Sequence, residues 1–231
     1  MNFHRNLSFY VYNSNDLKDH LKKDQSIVKY LYLIMTGINQ IMTKTLCFGA
    51  FQAIRNHFLQ KNQNNFISAL PIDSYPLFVT FKKNGQLRGC IGTFSPLPLQ
   101  EGIQKYALAA SFQDSRFPPI KEHELNSLSC TVSILHSFIE CSYTDWEIGR
   151  HGILIEYKGY RATFLPEVAT EQKWNRFETF VNLMKKAGIN LNPSISLFSK
   201  FKITRYQSST ISASYAEFID AINSLEDIKS L

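Results

Sequence analysis

The octapeptide LRGCIGTF, residues 87–94, decides the local fold because it follows closely on the dipeptide Asn84-Gly85. An Asn-Gly pair between two apolar segments is the strongest short-range signal for a two-residue hairpin turn. The segment before the turn, LFVTF at residues 77–81, has the aromatic and β-branched composition of a strand. The sequence therefore predicts a β-hairpin whose two strands contain residues 77–81 and 87–94.

The turn type also predicts which residues face one another across this hairpin. For a type I′ turn at Asn84-Gly85, the expected pairs are Lys83 with Gln86, Phe81 with Arg88, and Val79 with Cys90. Because side chains alternate between the two faces of a strand, Arg88, Cys90 and Phe94 then share a face with Val79 and Phe81. A bulge at either glycine of the octapeptide would change this register.

Apolar spacing predicts helices and further strands along the rest of the chain. The helices are one capped by Thr43 and ended by the polar residues 61–65, and others at residues 99–114, 175–187 and 214–225. The strands are residues 128–135, 152–157, 161–165 and 201–206. In the third helix Asn175 and Glu178 form a capping-box pair, and Phe177 is expected on the inner face. Strands arrive in hairpin-like groups, which favours an α+β fold with an antiparallel sheet flanked by helices.

Composition indicates a folded protein without a metal knuckle. Hydrophobic residues make up 44% and aromatic residues 13% of the 231 residues, which is inconsistent with intrinsic disorder. The net charge is +6, and half of this surplus lies in residues 1–45. The four cysteines are far apart and form no C-x-x-C pair, so no metal site is predicted. They are Cys47, Cys90, Cys130 and Cys141.

The amino-terminal region is expected to be an extension, residues 1–45, that precedes a domain of residues 46–231. Residues 27–38 have the spacing of an amphipathic helix, and the alternative is a loosely docked tail. The first 25 residues lack the apolar core of a secretory signal, and the apolar run 27–42 is too short and too polar for a membrane span. We therefore expect no membrane association and a cytoplasmic and/or nuclear location with reduced thiols.

Five ordered blocks of the sequence resemble the AMMECR domain family, which is named after a chromosomal region linked to Alport syndrome, midface hypoplasia and elliptocytosis. The blocks are residues 87–94; 114–119 with Glu124-Leu125; Asp145-Trp146 with 151–153; 165–169 with Glu171-Gln172 and Trp174; and 186–188. The resemblance covers roughly residues 46–221, and the segments 204–206 and 214–217 look like the eukaryotic branch.

This resemblance implies a single α+β domain of two unequal lobes around an antiparallel sheet. It implies no established reaction and assigns no cofactor. Family members are encoded beside, or fused to, Memo-type and radical-SAM proteins, so such proteins are the implied partners. A loose connection with nuclear processes adds a role linked to nucleic acids. The resemblance thus leaves two interpretations open: an enzyme or enzyme-associated subunit, or a non-catalytic adaptor.

The candidate chemistry centres on Cys90. Arg88 two residues away could favour the thiolate, and His151 could act as the base of a Cys–His pair. The alternative is a buried structural cysteine, which is common for this residue type. The residues of a possible binding site are Gly89, Gly92, Thr93, Asp114, Arg116 and Glu167.

Most of these candidate residues also have a structural alternative. The glycines can admit a ligand to the backbone or relieve crowding by a crossing helix. Asp114 and Arg116 can line a pocket or join a proline-rich loop to the domain. Glu167 can simply favour the start of a helix, and His151 can be a hydrogen-bonded structural group.

A nucleic-acid interface is a further alternative. Basic residues on the hairpin and on the last strand could form a stripe that follows phosphates. These residues are Lys82, Lys83, Arg88, Lys200, Lys202 and Arg205. Lysines on strand edges are also a common device against aggregation, so the same residues have a purely structural explanation.

Overall fold

The structure is a computed structural model that describes residues 41–61 and 65–229. Residues 1–40, including the possible helix at 27–38, lie outside the described part. The helices are α1 (Thr45–Leu59), α2 (Asn65–Ser68), α3 (Leu99–Phe112), α4 (Pro166–Glu171), α5 (Arg176–Ala187), α6 (Ile195–Phe198) and α7 (Tyr215–Lys229). The strands are β1 (Ser74–Lys83), β2 (Gln86–Pro98), β3 (Leu128–Glu140), β4 (Gly152–Tyr157), β5 (Tyr160–Phe164) and β6 (Lys202–Ser214), and a 3-10 helix covers Glu122–Ser127.

The strands form one antiparallel sheet in the order β2-β1-β3-β6-β4-β5, so the predicted α+β class is confirmed. The single domain divides into two compact units. Of the described residues, 41–135 and 209–229 form the first unit, and 136–208 form the second. Within the described residues, no helix is long and apolar enough to span a membrane.

The hairpin turn is confirmed, but the predicted register beyond it is wrong. Asn84 and Gly85 have φ angles of 50° and 81°, as a type I′ turn requires, and Lys83 faces Gln86. The register then shifts, because β2 contains one extra residue, Arg88, in a bulge. As a result the observed pairs are Lys82 with Leu87, Phe81 with Gly89, Thr80 with Cys90, and Val79 with Ile91.

The core of the first unit lies on the face of β1 that carries Leu77, Val79 and Phe81, all fully buried. Phe51 of α1 packs against Phe81 there, and the two ring centroids are 5.8 Å apart. On β3, the alternate residues Cys130, Val132 and Ile134 are also buried. Because Cys90 pairs with Thr80, it lies on the opposite face of the sheet from this core. Cys90 is therefore not packed beside Val79 as predicted.

Helix α1 begins differently from the prediction. Lys44, and not Thr43, is the N-cap, and no side chain caps this helix end. The carbonyl of Thr43 accepts a hydrogen bond from the Leu46 N–H at 3.1 Å, which forms a tighter turn ahead of the helix. Ile41, just before this turn, is buried in the core of the first unit.

The core of the second unit combines buried residues of α5 with those of β4, β5 and β6. Helix α5 shows the predicted capping box between Asn175 and Glu178, and it ends at Gly188 with a φ angle of 76°. Its buried residues are Thr179, Phe180, Leu183 and Met184. Phe177, predicted on the inner face, is 41% exposed, so that assignment is wrong. It lies at the first turn of the helix and contacts Phe198 with ring centroids 5.5 Å apart.

Candidate functional site

The backbone of Cys90 is held by two side chains. Its N–H donates to Oδ2 of Asp114 at 2.9 Å, and its carbonyl accepts from Nη2 of Arg116 at 3.1 Å. Strand β2 lies at one end of the sheet order, so none of the strands that the structure describes pairs with these backbone groups on that side. The Asp114–Arg116 pair therefore takes the place of the missing strand at Cys90.

Asp114 is a buried carboxylate whose lone pairs are occupied. Besides the Cys90 N–H, it accepts from Arg116 N at 3.2 Å, Nε at 2.9 Å and Nη2 at 2.7 Å. These bonds, led by the side-chain bond from Arg116, hold the pKa of Asp114 well below its usual range although burial opposes this. The carboxyl is 4% exposed and the Arg116 side chain 54%. The geometry thus corresponds to the second alternative, an ion pair that joins this loop to β2.

Arg88 turns toward the same loop and not toward the thiol. Its Nη1 donates to the Pro118 carbonyl at 2.7 Å, and Nη2 donates to the Pro119 carbonyl at 3.2 Å. Its Nε and Nη2 donate to the two carboxylate oxygens of Glu124 at 3.2 and 2.9 Å. The bulge at Arg88 produces this orientation, because the extra residue lets the side chain leave the regular strand alternation.

Glu124 is the second carboxylate that accepts several hydrogen bonds at this strand edge. In the sequence analysis it appeared only as a member of a family block. It also accepts from Nζ of Lys83 at 2.9 Å and from the Lys121 N–H at 2.8 Å. Hydrogen bonds, first from Arg88 and then from Lys83, lower the pKa of Glu124 to about 2. We use the name clasp for residues 114–124, which these bonds fasten to β2.

At both glycines of the octapeptide, other atoms of the chain occupy the space that a side chain would need. A Cβ atom on Gly89 would lie 2.0 Å from the carbonyl oxygen of Ala110, so α3 crosses directly over it. A Cβ atom on Gly92 would lie 2.4 Å from the ring of Phe78. Thr93 forms a local turn, since its Oγ1 accepts from the Ser95 N–H at 2.9 Å. At Gly89 the contact corresponds to the crowding alternative, because α3 crosses there, whereas the close atoms at Gly92 belong to the neighbouring strand β1.

The thiol of Cys90 is half-buried and accepts a hydrogen bond from Oγ1 of Thr80 at 3.2 Å. Thr80 in turn faces Thr131 on β3, whose hydroxyl lies 2.7 Å from that of Ser212. A row of small polar side chains thus crosses this face of the first unit. The sequence could not show the row, because it depends on the bulged register.

His151 lies in the second unit, whereas Cys90 lies in the first. Its Nδ1 accepts from the Glu147 N–H at 3.0 Å within the loop before β4. Burial lowers the pKa of His151, with further lowering by Arg205 and Arg150, so the ring is neutral at pH 7. Glu167 is exposed in the first turn of α4. No hydrogen bond described for His151 involves the other predicted site residues.

Most of the predicted basic stripe is paired with acids. Lys83 and Arg88 share Glu124. On β6, Lys202 lies 4.0 Å from Glu156, and Arg205 Nη1 lies 2.8 Å from Oδ1 of Asp145. Among the residues that the structure describes, no three His, Cys, Asp or Glu side chains converge as metal ligands would.

Comparisons with known proteins agree on one family. A family model described as AMMECR1 matches residues 47–211. An uncharacterised protein of Arabidopsis thaliana is 37% identical over 190 residues, which covers 77% of this chain and 88% of that protein. An uncharacterised protein of Saccharomyces cerevisiae is 36% identical over 182 residues, which covers 65% and 72% of the two chains. The crystal structure of an uncharacterised Pyrococcus horikoshii protein is similar with a TM-score of 0.63 at 24% identity, covering 75% of this chain and 91% of that one, which shows a shared fold.

Proposed function

This chain belongs to the AMMECR1 family, and from that premise we propose that β2 and the clasp form a rigid surface that binds a partner protein. The chain would then act as an adaptor or as an enzyme-associated subunit. One observation carries the proposal: the charged groups beside Cys90 are engaged in holding the clasp. Asp114, Arg88 and Glu124 make multiple hydrogen bonds there, so they are poorly suited to exchange protons with a substrate.

The charge of this surface indicates the chemistry of the partner. Five basic and three acidic side chains lie on the hairpin end and the clasp, so a net positive charge remains although Glu124 pairs with Lys83 and Arg88, and Asp114 with Arg116. The basic side chains are Lys82, Lys83, Arg88, Arg116 and Lys121, and the acidic ones are Asp114, Glu122 and Glu124. Leu87 adds an apolar side chain that is 42% exposed. We therefore infer that the partner presents an acidic segment with an apolar residue. A Memo-type or radical-SAM protein, implied by the family resemblance, is the first candidate.

Photo-crosslinking tests this proposal. With p-benzoylphenylalanine in place of Leu87, irradiation in cells should link the chain to a partner through an acidic segment. The same residue in place of Ile195, which is 65% exposed in the second unit, serves as the matched control and should not produce that product. With the purified partner, Leu87→Glu should raise Kd at least about tenfold, equal to about 1.4 kcal/mol, and Ile195→Glu should leave it unchanged. Equal crosslinking from both positions, or a crosslinked segment without acidic residues, contradicts the proposal.

A second candidate function is thiol chemistry at Cys90. It is favoured by the partial exposure of Cys90, whose sulfur accepts a hydrogen bond from Thr80 at 3.2 Å. In this interpretation Cys90 is the nucleophile, and the Thr80 hydroxyl is the neighbouring group that donates a hydrogen bond to its sulfur. Asp114 and Arg116, which hold the backbone of Cys90, would then lie beside the reacting thiol.

Alkylation by iodoacetamide separates this candidate from the first. Cys141 is the internal control, because it is also half-buried and its pKa is raised to about 11, chiefly by burial. If Cys90 is a nucleophile, the native protein should alkylate at Cys90 at least about tenfold faster than at Cys141, and Thr80→Val should slow that reaction. If both thiols are alkylated equally slowly, thiol chemistry at Cys90 is contradicted. The proposal that β2 and the clasp bind a partner protein is not affected by that result.

We also propose a cytoplasmic and/or nuclear location. All four cysteines are free thiols, as expected in a reducing compartment. Imaging of a fluorescent fusion in living cells tests this directly, and accumulation in a secretory compartment would contradict it.

A further inference from the structure

Strand β2 has backbone groups that point away from the rest of the sheet. The N–H and carbonyl of Cys90 do so, since they bond to Asp114 and Arg116 and not to β1. In an antiparallel ladder such outward-pointing residues recur at every second position. The pairing with β1 is regular from Cys90 to Gly92. The N–H and carbonyl of Gly92 therefore also point outward.

The edge of β2 is closed on either side of Gly92 but not at Gly92 itself. Towards the hairpin turn, the clasp occupies the backbone groups of Cys90. In the other direction, Pro96 and Pro98 have no N–H to offer to a neighbouring strand. No hydrogen bond to the outward-pointing groups of Gly92 is described for residues 41–61 and 65–229. Because sheet edges are usually protected, this short open stretch is a place where another strand can pair.

We propose that a short extended segment of the partner protein pairs with β2 at Gly92 as an added strand. The inference rests on the proposed function and names how the partner is held. The Gly92 N–H donates to a carbonyl of the segment, and the Gly92 carbonyl accepts an N–H from it. Such main-chain bonds give affinity, and the side chains beside them give specificity.

Arg116 sets the charge of this segment. Its Nε and Nη2 bond to Asp114, and Nη2 also bonds to the Cys90 carbonyl. Within the described part of the chain no bond is described for its Nη1, and the side chain is 54% exposed. A carboxylate can bind this Nη1 without displacing Asp114. The added strand therefore carries an acidic residue where it meets the clasp.

An aromatic ring beside Gly92 sets the apolar part of the segment. The ring of Phe78 lies 2.4 Å from where a Cβ atom on Gly92 would be, so it covers Gly92 on the sheet face opposite the core. Phe78 is half-buried. Since β-branched and aromatic side chains pack well against rings across neighbouring strands, we expect one of these types beside Gly92.

Symmetric pairing of two copies of β2 does not fit this edge. Antiparallel pairing about Gly92 would place Phe94 of one copy opposite Cys90 of the other. The Cys90 groups are already bonded to Asp114 and Arg116, so that register has no partners there. A short segment that ends or turns at the clasp avoids this conflict.

A phage-displayed library of random linear dodecapeptides, selected on the full chain, is the probe for this edge. Enriched peptides should combine an acidic residue with a β-branched or aromatic one. NMR of the glycine-labelled protein then measures amide exchange at Gly92, with Gly85 in the hairpin turn as the matched control. Both amides should exchange rapidly in the free chain. Saturation with an enriched peptide should slow exchange at Gly92 at least about tenfold and leave Gly85 unchanged.

N-methylation of the enriched peptide separates strand pairing from contact through side chains alone. Methyl groups on one set of alternate residues remove the donors that face β2 and should raise Kd at least about tenfold. Methyl groups on the other set point to solvent and should change Kd less than about twofold.

The inference is overturned if no peptide is enriched, if Gly92 is already protected in the free chain, or if an enriched peptide leaves its exchange unchanged. Equal Kd values for the two methylated peptides also overturn it. Crosslinking from position 87 remains a separate test of the proposed function. A crosslinked acidic segment together with an unprotected Gly92 overturns strand pairing and leaves the recognition surface standing, whereas absent crosslinking contradicts the proposed function itself.

Discussion

Gly89→Ala should lower the free energy of unfolding by about 3 kcal/mol or more. The added Cβ would lie 2.0 Å from the carbonyl oxygen of Ala110. That atom belongs to the backbone of α3, so no side-chain rotation relieves the overlap, and the helix or β2 must shift. The shift would also loosen the clasp, because Cys90 follows directly and is bonded to Asp114 and Arg116. Urea denaturation followed by circular dichroism measures the loss.

Gly49→Ala is the matched control for this substitution. Its Cβ would contact side-chain carbons of Ile103 and Leu70 at 3.4 Å, which is ordinary van der Waals contact. Gly49 lies within α1, where alanine is favoured over glycine by about 1 kcal/mol. This variant should therefore be as stable as the unchanged protein or slightly more so. If Gly89→Ala unfolds at the same urea concentration as Gly49→Ala, the packing of α3 against β2 does not require a residue without a side chain at position 89.

Local signals in the sequence predicted the elements that local chemistry controls. The type I′ turn at Asn84-Gly85 needs two residues that tolerate positive φ, and both are visible in the sequence. The capping box of α5 is likewise contained within four residues. The inner face of α5 was predicted less well, because helical spacing does not show that the packing surface stops short of Phe177.

The register error at Cys90 has a non-local cause. The bulge places Arg88 where its side chain reaches Glu124, which is 36 residues away, and the carbonyls of Pro118 and Pro119. No pattern within the hairpin shows that such partners exist, so a regular ladder is the natural prediction. The sequence did identify Asp114 and Arg116 as a pair, since they flank one serine before two prolines. It could not show that their shared partner is the backbone of Cys90.

The candidate site shows the same difference between features that local sequence predicts and features that depend on distant contacts. The sequence singled out the octapeptide because arginine, cysteine and glycine are chemically distinctive residue types. In the structure each of these residues has a packing or hydrogen-bonding partner. Together they form the edge of β2 to which the clasp is hydrogen-bonded.

Glu124→Gln should remove about 3 kcal/mol of stability at pH 7 and progressively less as the pH falls. In the folded chain the pKa of Glu124 is about 2, below its ordinary value of 4.5, because Arg88 and Lys83 bond to the charged form. A depressed folded pKa gives stability that is fully present above the unfolded pKa and is lost as the pH falls toward 2. The expected difference between the two proteins therefore shrinks to about 1.5 kcal/mol at pH 3. Urea denaturation at pH 7, 5, 4 and 3 measures this difference.

Glu122→Gln is the matched control, since Glu122 is exposed two residues earlier in the same 3-10 helix. Its effect should stay within about 0.5 kcal/mol at every pH, as for a surface substitution. The two outcomes also separate electrostatics from packing at the clasp. If Glu124→Gln destabilises equally at pH 7 and pH 3, the loss comes from the shape of the side chain or its neutral hydrogen bonds. If it converges with the unchanged protein on acidification, the charge shared with Arg88 and Lys83 fastens the clasp to β2.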